Sequence, residues 1–503
     1  VQFGGYDHRV GAGDGTLWDM DNLTGDDYPV LSTRKPRRLL STLTSPRGLY
    51  VHDGLYTVDG TTLYKDGTAV VVGLSNSDKT LCALGPYLYI LPDHIVYNTA
   101  TDTVEPVAKS WSGIGVTEDG YYAGEEAEMN EIYAAGVNWA TYFRPGDAVT
   151  IMFSDTTTQS SIIREIGAKG VAVSGGIGDA LRFYENVFSS AKLVIGVSRD
   201  APDMDFICEN ENRLWGCKGD TIRACKLGDP FNWNVYDGVA TDSYAVDVGS
   251  SGDFTGCASY LGYPVFFKEE NIYKVYGDRP ANFQVMGSAT LGVKVGSAKS
   301  IAIAGETMYY LSRAGFVSYS GGLPQQIASA FGDMEVKAAV GGSDGLKYFA
   351  SAQIGSAWNL FIYDTRSGLW HREDVTQAKY FAYSGGILWL TADGKLWRVG
   401  GTDGTEESAF TGTAEFGDFT WGPNWKNPTR LLLRLSGAVT VSVQYNSSGT
   451  WESAATLTAT EKTSRYFPVP IRRCDHYRVK ISGTAPWKLW SMTQEYYAGS
   501  ARE

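Results

Sequence analysis

The feature that most constrains this chain is a repeat. A short apolar strand, a Gly/Asp/Asn turn, an aromatic strand, a second turn and another aromatic strand recur along the sequence. The unit appears as GLYVHDGLYTVDGTTLYKDG at 48–67, DFICENENRLWGCKGDTIRACKLG at 205–228 and GCASYLGYPVFFKEENIYKVYG at 256–277. It returns as IAIAGETMYYLSRAGFVSYSGG at 301–322, KYFASAQIGSAWNLFIYDTRSGLW at 347–370 and KYFAYSGGILWLTADGKLWRVGG at 379–401. A weaker copy, TLCALGPYLYILPDHIVYNTATDTV, lies at 80–104. Aromatic offsets inside the copies are regular: Tyr56 to Tyr64 and Trp389 to Trp397 are 8 residues, Phe266 to Tyr273 and Tyr309 to Phe316 are 7. Two antiparallel strands joined by a tight turn give that offset, and GTT, DG, EEN, RAG and ADG are turn chemistry.

From residue 205 onward the copies start every 32–51 residues, the size of one four-stranded propeller blade. A lone blade cannot bury both faces, whereas blades packed side by side can. The expectation is an all-β chain with a β-propeller of about six or seven blades. The competing reading is a pair of β-sandwiches built from meanders. Composition agrees with strands and turns: 59 Gly, 13% aromatic residues and only 20% charged residues.

The repeat divides the 503 residues. Residues 1–45 read as an N-terminal arm, 46–112 as the first part of the propeller and 198–405 as its second part. Between them, 113–197 carries its own alternation, as in PGDAVTI at 145–151, and reads as an inserted small β-barrel domain. A short helix is expected within EEAEMNEIYAAGVNWATYF at 125–143. Residues 406–503 hold longer alternating strands and read as a C-terminal β-sandwich, jelly-roll or Ig-like.

Chemistry-bearing patterns are few. Five histidines (His8, His52, His94, His371 and His476) fall in separate segments without HxxxH or HxH spacing, so no metal site is expected. Six cysteines form no CxxC pair and read as buried reduced thiols. No GxSxG elbow, Walker loop, full S-x-D-x-G-x-T-W box or EF-hand loop is present, and neither catalytic residues nor a cofactor are expected. The acidic clusters Asp19, Asp21, Asp26, Asp27 and Asp200, Asp203, Asp205 read as solvated turns. No apolar run is long enough for a transmembrane helix, and VQFGGYDHRV has no secretory pattern, so the expectation is a soluble protein made in a cytoplasm.

One basic run stands out. Arg34, Lys35, Arg37, Arg38 and Arg47 lie within fourteen positions. They read either as a solvated arm or as a docking element for an acidic partner or DNA backbone.

NLTGDDYPVLSTRKPRR, then RGLYVHDGLYTVDGTTLYKDG, then NRLWGCKGDTI…GDPFNW at 212–233 and FFKEENIYKVYG at 266–277 resemble the tail nozzle family of tailed phages, also called packaged-DNA stabilisation proteins. The resemblance covers roughly residues 20–112 and 198–405. The segment PGDAVTI…LRFYENVF looks like a β-barrel module of phage tail proteins and departs from the simplest nozzle pattern. The resemblance implies a virion structural protein without catalytic residues. It implies a homo-oligomeric ring, commonly a hexamer, below the portal and adaptor rings, closing the tail channel until infection. Such a protein resides in the virion tail and is assembled in the host cytoplasm. Genomic DNA would pass through without sequence-specific binding. A net charge of −13 suits passage, because a basic wall would hold phosphate and stall ejection.

The alternative function is a receptor-binding protein that recognises host surface glycan. Its candidate residues are Trp421 and Trp425 in DFTWGPNWKNP, or Trp487 and Trp490 further on. A propeller glycosidase, which needs paired carboxylates, is the third class.

Overall fold

The computed structural model describes residues 3–9, 11, 13–122, 125–168, 179–183, 192–420 and 424–499. Regular structure among these residues is strand, apart from four single-turn 3₁₀ helices. Seven antiparallel sheets are blade-like meanders whose strands pair in chain order. They span 46–72, 80–106, 206–247, 256–289, 302–326, 336–374 and 378–399. The fold is a seven-bladed β-propeller with two further β sheets. Two compact units divide the chain: residues 1–60, 65–67 and 290–503, and residues 61–64 and 68–289.

In the first unit, the leading strands of successive blades lie side by side: Ala302–Ala304, Val336–Ser343, Ala378–Tyr383 and Pro46–Val51. In the second unit Thr80–Leu84, Phe206–Asn210 and Gly256–Tyr260 do the same. Covering both faces of a blade explains the unbroken apolar strands. Ile387–Thr391 (ILWLT) is buried at every position, whereas the outer strand Gln284–Ala289 is almost wholly exposed.

The last blade has only three strands of its own. Its fourth, Arg37–Thr42, comes from the N-terminal segment and pairs antiparallel with Lys395–Val399. The turn Asp393–Gly394 seats that strand. Gly394 has φ +87°, and an added Cβ would lie 2.0 Å from the Leu43 carbonyl oxygen, so only glycine fits.

The N-terminal arm expected over 1–45 is therefore corrected. Leu17–Asp21, Leu23–Thr24 and Leu31–Thr33 join the C-terminal strands in one eight-stranded sheet, and Arg37–Thr42 joins the propeller. Leu17, Met20, Leu23 and Leu31 are the buried residues that drive this, spaced irregularly among Gly and Asp. The acidic cluster stays solvent-accessible, with side chains 42–50% exposed, and each member also pairs with a cation. Asp19 and Asp21 each pair with Arg372 at 2.9 Å, Asp27 pairs with Lys488 at 2.7 Å, and Asp26 pairs with Lys347.

The eight-stranded sheet is organised by Lys426–Tyr445. One of its edges pairs with Glu452–Pro468; the other pairs with Lys488–Ala498 and then Tyr477–Thr484. Leu431, Leu433, Leu435, Val439, Val441 and Val443 are buried on one face, and Gly437 (φ +100°) sits where the register shifts between the two halves. The strands at the two ends of the sheet, Leu17–Asp21 and Leu23–Thr24, are separated in sequence by Asn22 alone. The sheet thus curls until it is nearly a closed barrel.

The segment between the second and third blades forms a seven-stranded sheet from Lys109–Tyr122 to Leu193–Arg199. Its own core holds Trp111, Trp139, Phe143, Ile151, Phe153 and Leu181, with the Trp111 and Trp139 ring centroids 4.7 Å apart. The helix expected over 125–143 is corrected: Glu125–Tyr133 is a strand, and one 3₁₀ turn follows at Trp139–Thr141. Ile132 and Tyr133 pair with Leu181 and Ala180, and sheet pairing outweighs helix propensity there.

Candidate functional site

The run RKPRR links two sheets, from Leu31–Thr33 in the curled sheet to Arg37–Thr42 in the last blade. Pro36 bars a helix and holds Lys35 extended. The run is then sorted by burial. Arg34 and Arg37 are buried, 7% and 4% exposed, while Lys35 is exposed and Arg38 half-buried.

Arg34 faces the carboxylate of Glu407 with both terminal nitrogens, the Nη2–Oε2 distance being 3.2 Å. Its Nε donates to Asn22 Oδ1 at 2.8 Å, and its guanidinium lies 4.0 Å from the Phe410 ring centroid. Arg37 donates from Nη2 to Glu373 and from Nη1 to Asp374, each at 2.5 Å, and lies 4.8 Å over Trp389. Glu407 also accepts the backbone N–H of Arg37 at 2.7 Å. Two arginines and three carboxylates thus form one cluster. Burial pushes the Asp374 carboxyl up, but Arg37 and the Thr376 hydroxyl and N–H outweigh it and hold it below the usual carboxylate range. Burial also opposes charge on Arg37, and its two carboxylates reverse that, raising its pKa.

Two cavities flank the cluster. One, of about 480 Å³, is lined by Arg37, Asp374, Gln377, Asp393, Trp397 and Glu407, with Lys395 at its rim. The other, of about 320 Å³, is lined by Arg34, Lys35, Lys347, Glu373 and Tyr383. His371, on the same strand as Glu373 and Asp374, is buried beside Gly25. Burial, aided by Lys347, pushes its pKa down to about 4, so the ring is neutral at pH 7.

The five cations named from the sequence do not form one surface. Arg34 and Arg37 are brought together but face inward, which corrects their reading as docking residues. Arg38 donates to Glu406 at 2.9 Å and to the Thr402 carbonyl at 3.1 Å. Arg47 is half-buried on the leading strand of the first blade. Lys35 is the exposed member.

The tryptophans divide similarly. Trp421 lies outside the described residues. Trp425 is half-buried with the Arg473 guanidinium 5.1 Å over its ring, and Trp490 is half-buried with the Lys462 ammonium 5.1 Å over its own. Trp487 is 1% exposed and donates from Nε1 to the Gly483 carbonyl at 3.2 Å, so it offers no face to a glycan.

A second buried arginine holds the inserted sheet within its unit. Arg199 donates to Asp147 at 2.8 Å, to Glu105 at 2.9 Å and to the Val107 carbonyl at 2.9 Å. Asn232, from the GDPFNW segment, donates to Asp147 at 3.1 Å and accepts the Ala148 N–H at 3.0 Å. Glu373, Asp374, Glu407, Asp147 and Arg199 were not singled out from the sequence. The available signal was the charge-dense HRED at 371–374 inside an otherwise apolar pattern.

Among the described residues, no group of three or more His, Cys, Asp or Glu side chains could hold a metal ion. All six cysteines are free, and five of them are buried.

No family model matches the chain, and no curated protein matches it. Solved structures match only distantly. PorZ, a surface component of the type-IX secretion system of Porphyromonas gingivalis, aligns over 95% of this chain and 82% of its own at 10% identity, with a TM-score of 0.28. An exo-β-1,3-galactanase of Phanerochaete chrysosporium aligns over 58% of this chain and 95% of its own at 12% identity, TM-score 0.23. A family 43 arabinoxylan arabinofuranohydrolase of Bacillus subtilis aligns over 90% and 95% at 10% identity, TM-score 0.16. Likenesses this low carry no inference about activity or ligand.

Proposed function

We propose that this chain is the subunit of a tail-nozzle-like virion ring. The ring extends and gates the DNA channel below the portal and adaptor, and retains packaged DNA until ejection. It does this without catalysis, cofactor or membrane insertion, as part of the phage tail assembled in the host cytoplasm.

The observation that supports this reading is where the resembling segments fall. NRLWGCKGDTI supplies the second strand of one blade, Arg213–Lys218, and the start of its third, Thr221–Ala224. FFKEENIYKVYG supplies the end of the second strand of the next, Phe266 and Phe267 of Tyr263–Phe267, and the whole of its third, Asn271–Tyr276. GDPFNW places Asn232 against Asp147 at the base of the insert. The resemblance therefore falls on blade strands and on the loop that anchors the inserted sheet. The net charge of −13 adds to it, since DNA is repelled by an acidic wall and slides rather than binds.

Native mass spectrometry and negative-stain imaging of the purified full chain test the proposal, with peptide analysis of purified particles. The expected result is a closed, hexameric ring and stoichiometric presence in virions. A chain that stays monomeric at all concentrations and is absent from particles overturns it.

A further inference from the structure

We infer that the cavity of about 480 Å³ beside Arg37 is a binding site for a neutral saccharide. The volume falls inside the roughly 300–1,000 Å³ of small-molecule sites. The lining mixes one aromatic ring with groups that hydrogen-bond in both directions. Trp397 is half-buried and lines the cavity, which suits the C–H face of a sugar ring. Gln377 is exposed there and both donates and accepts, while Asp374, Asp393 and Glu407 accept from hydroxyls.

Charge selects the ligand class. The cavity holds three carboxylates against Arg37 and Lys395. Arg37 is committed to Glu373 and Asp374, and Lys395 lies 2.8 Å from Asp393. Glu407 is paired with Arg34, so the four carboxylates Glu373, Asp374, Asp393 and Glu407 face the three cations Arg34, Arg37 and Lys395; the excess is one negative charge, which disfavours a phosphate, sulfate or sialic acid. An apolar ligand is excluded by the charged lining, whose desolvation would have no return. A ligand carrying many hydroxyls and no charge satisfies both conditions.

The site does not depend on the ring assembly, so the two proposals fail separately. The full chain is applied to an array of neutral, sialylated and sulfated oligosaccharides, and hits are titrated by calorimetry. Gln377→Ala and Trp397→Ala are compared with the parent. Binding to neutral members, at least tenfold weaker in Gln377→Ala and lost in Trp397→Ala, is expected. Trp397 also packs against the core, so Gln377→Ala, on an exposed loop, decides if Trp397→Ala does not fold. Absence of binding to every neutral member overturns the inference. Binding confined to acidic members, or binding unchanged in Gln377→Ala, overturns it as well.

Discussion

Two buried arginines do comparable work in different places, and the contrast is instructive. Arg37 reaches carboxylates 336 and 337 positions away in sequence and ties the N-terminal strand, which completes the last blade, to the outer strand Leu369–Asp374 of the blade before it. Arg199 reaches Asp147 and Glu105, 52 and 94 positions away, and fastens an inserted sheet to its own unit. Arg37 is bound chiefly by carboxylates and faces a cavity; Arg199 shares its donors between carboxylates and the Val107 and Pro106 carbonyls. Arg37 has one neutral acceptor, the Thr376 hydroxyl at 3.3 Å, against two backbone carbonyls for Arg199, and charge matched mostly by charge is more sensitive to losing one partner than charge matched partly by dipoles. Closure over a long chain segment also makes the Arg37 cluster the more global of the two.

The largest effect is therefore expected at Arg37. Arg37→Met leaves half-buried Asp374 without its cation and buried Glu373 with Arg34 alone, 3.7 Å away, a loss of about 3–5 kcal/mol. Urea unfolding of the full chain reads it as a lower midpoint. Hydrogen exchange should accelerate over 37–42 and 378–399 first. Unchanged protection there breaks the comparison, because the cluster would then not hold the strand. Arg199→Met is expected to cost about 3 kcal/mol, the low end of that range, since two of its acceptors are uncharged. Its exchange signature should be confined to 105–107, 109–199 and 229–232. If both variants loosen the same strands, the difference between long-range closure and local anchoring disappears.

Much of this was legible in the sequence, and the illegible part has a physical cause. The blades could be read because strand and turn are local: Trp389 and Trp397 sit eight residues apart across a turn, and they are register partners. Pairing between distant segments leaves no such local mark. The strand Arg37–Thr42 has the basic sequence RRLLST, which reads as an arm until Lys395–Val399 is found opposite it. The candidate site was half-visible for the same reason. The arginines stood out as a run, while Glu373, Asp374 and Glu407, which decide what the arginines do, lie more than three hundred positions away.

A third contrast is in pH. His371 is buried near the Arg37 cluster with its pKa pushed down to about 4, against an unfolded value near 6.5. The unfolded chain therefore binds a proton that the folded chain refuses between those values. Stability is fully present above pH 6.5 and falls as pH drops toward 4, by about 2 kcal/mol at pH 5. Replacing His371 with Phe should flatten that slope in denaturation midpoints measured from pH 7 to pH 5. A slope that persists in the Phe variant means that another group carries the acid sensitivity.

The smallest expected effect is the sharpest test of how the basic run is divided. Lys35 is one residue from Arg34 and two from Arg37, and the sequence alone treats all three alike. The structure separates them by burial, with Lys35 exposed between two inward-facing arginines. Lys35→Ala should leave the unfolding midpoint within about 0.5 kcal/mol of the parent, as surface substitutions do. Arg38 is intermediate, because its partner Glu406 is half-exposed and such pairs contribute about 0–1 kcal/mol. A ranking of Arg37 far above Arg38, and Arg38 above Lys35, follows from burial of the partner carboxylates. If Lys35→Ala instead destabilises the chain as strongly as Arg37→Met, the run acts as one charged block, and the division into buried clasp and exposed linker is wrong.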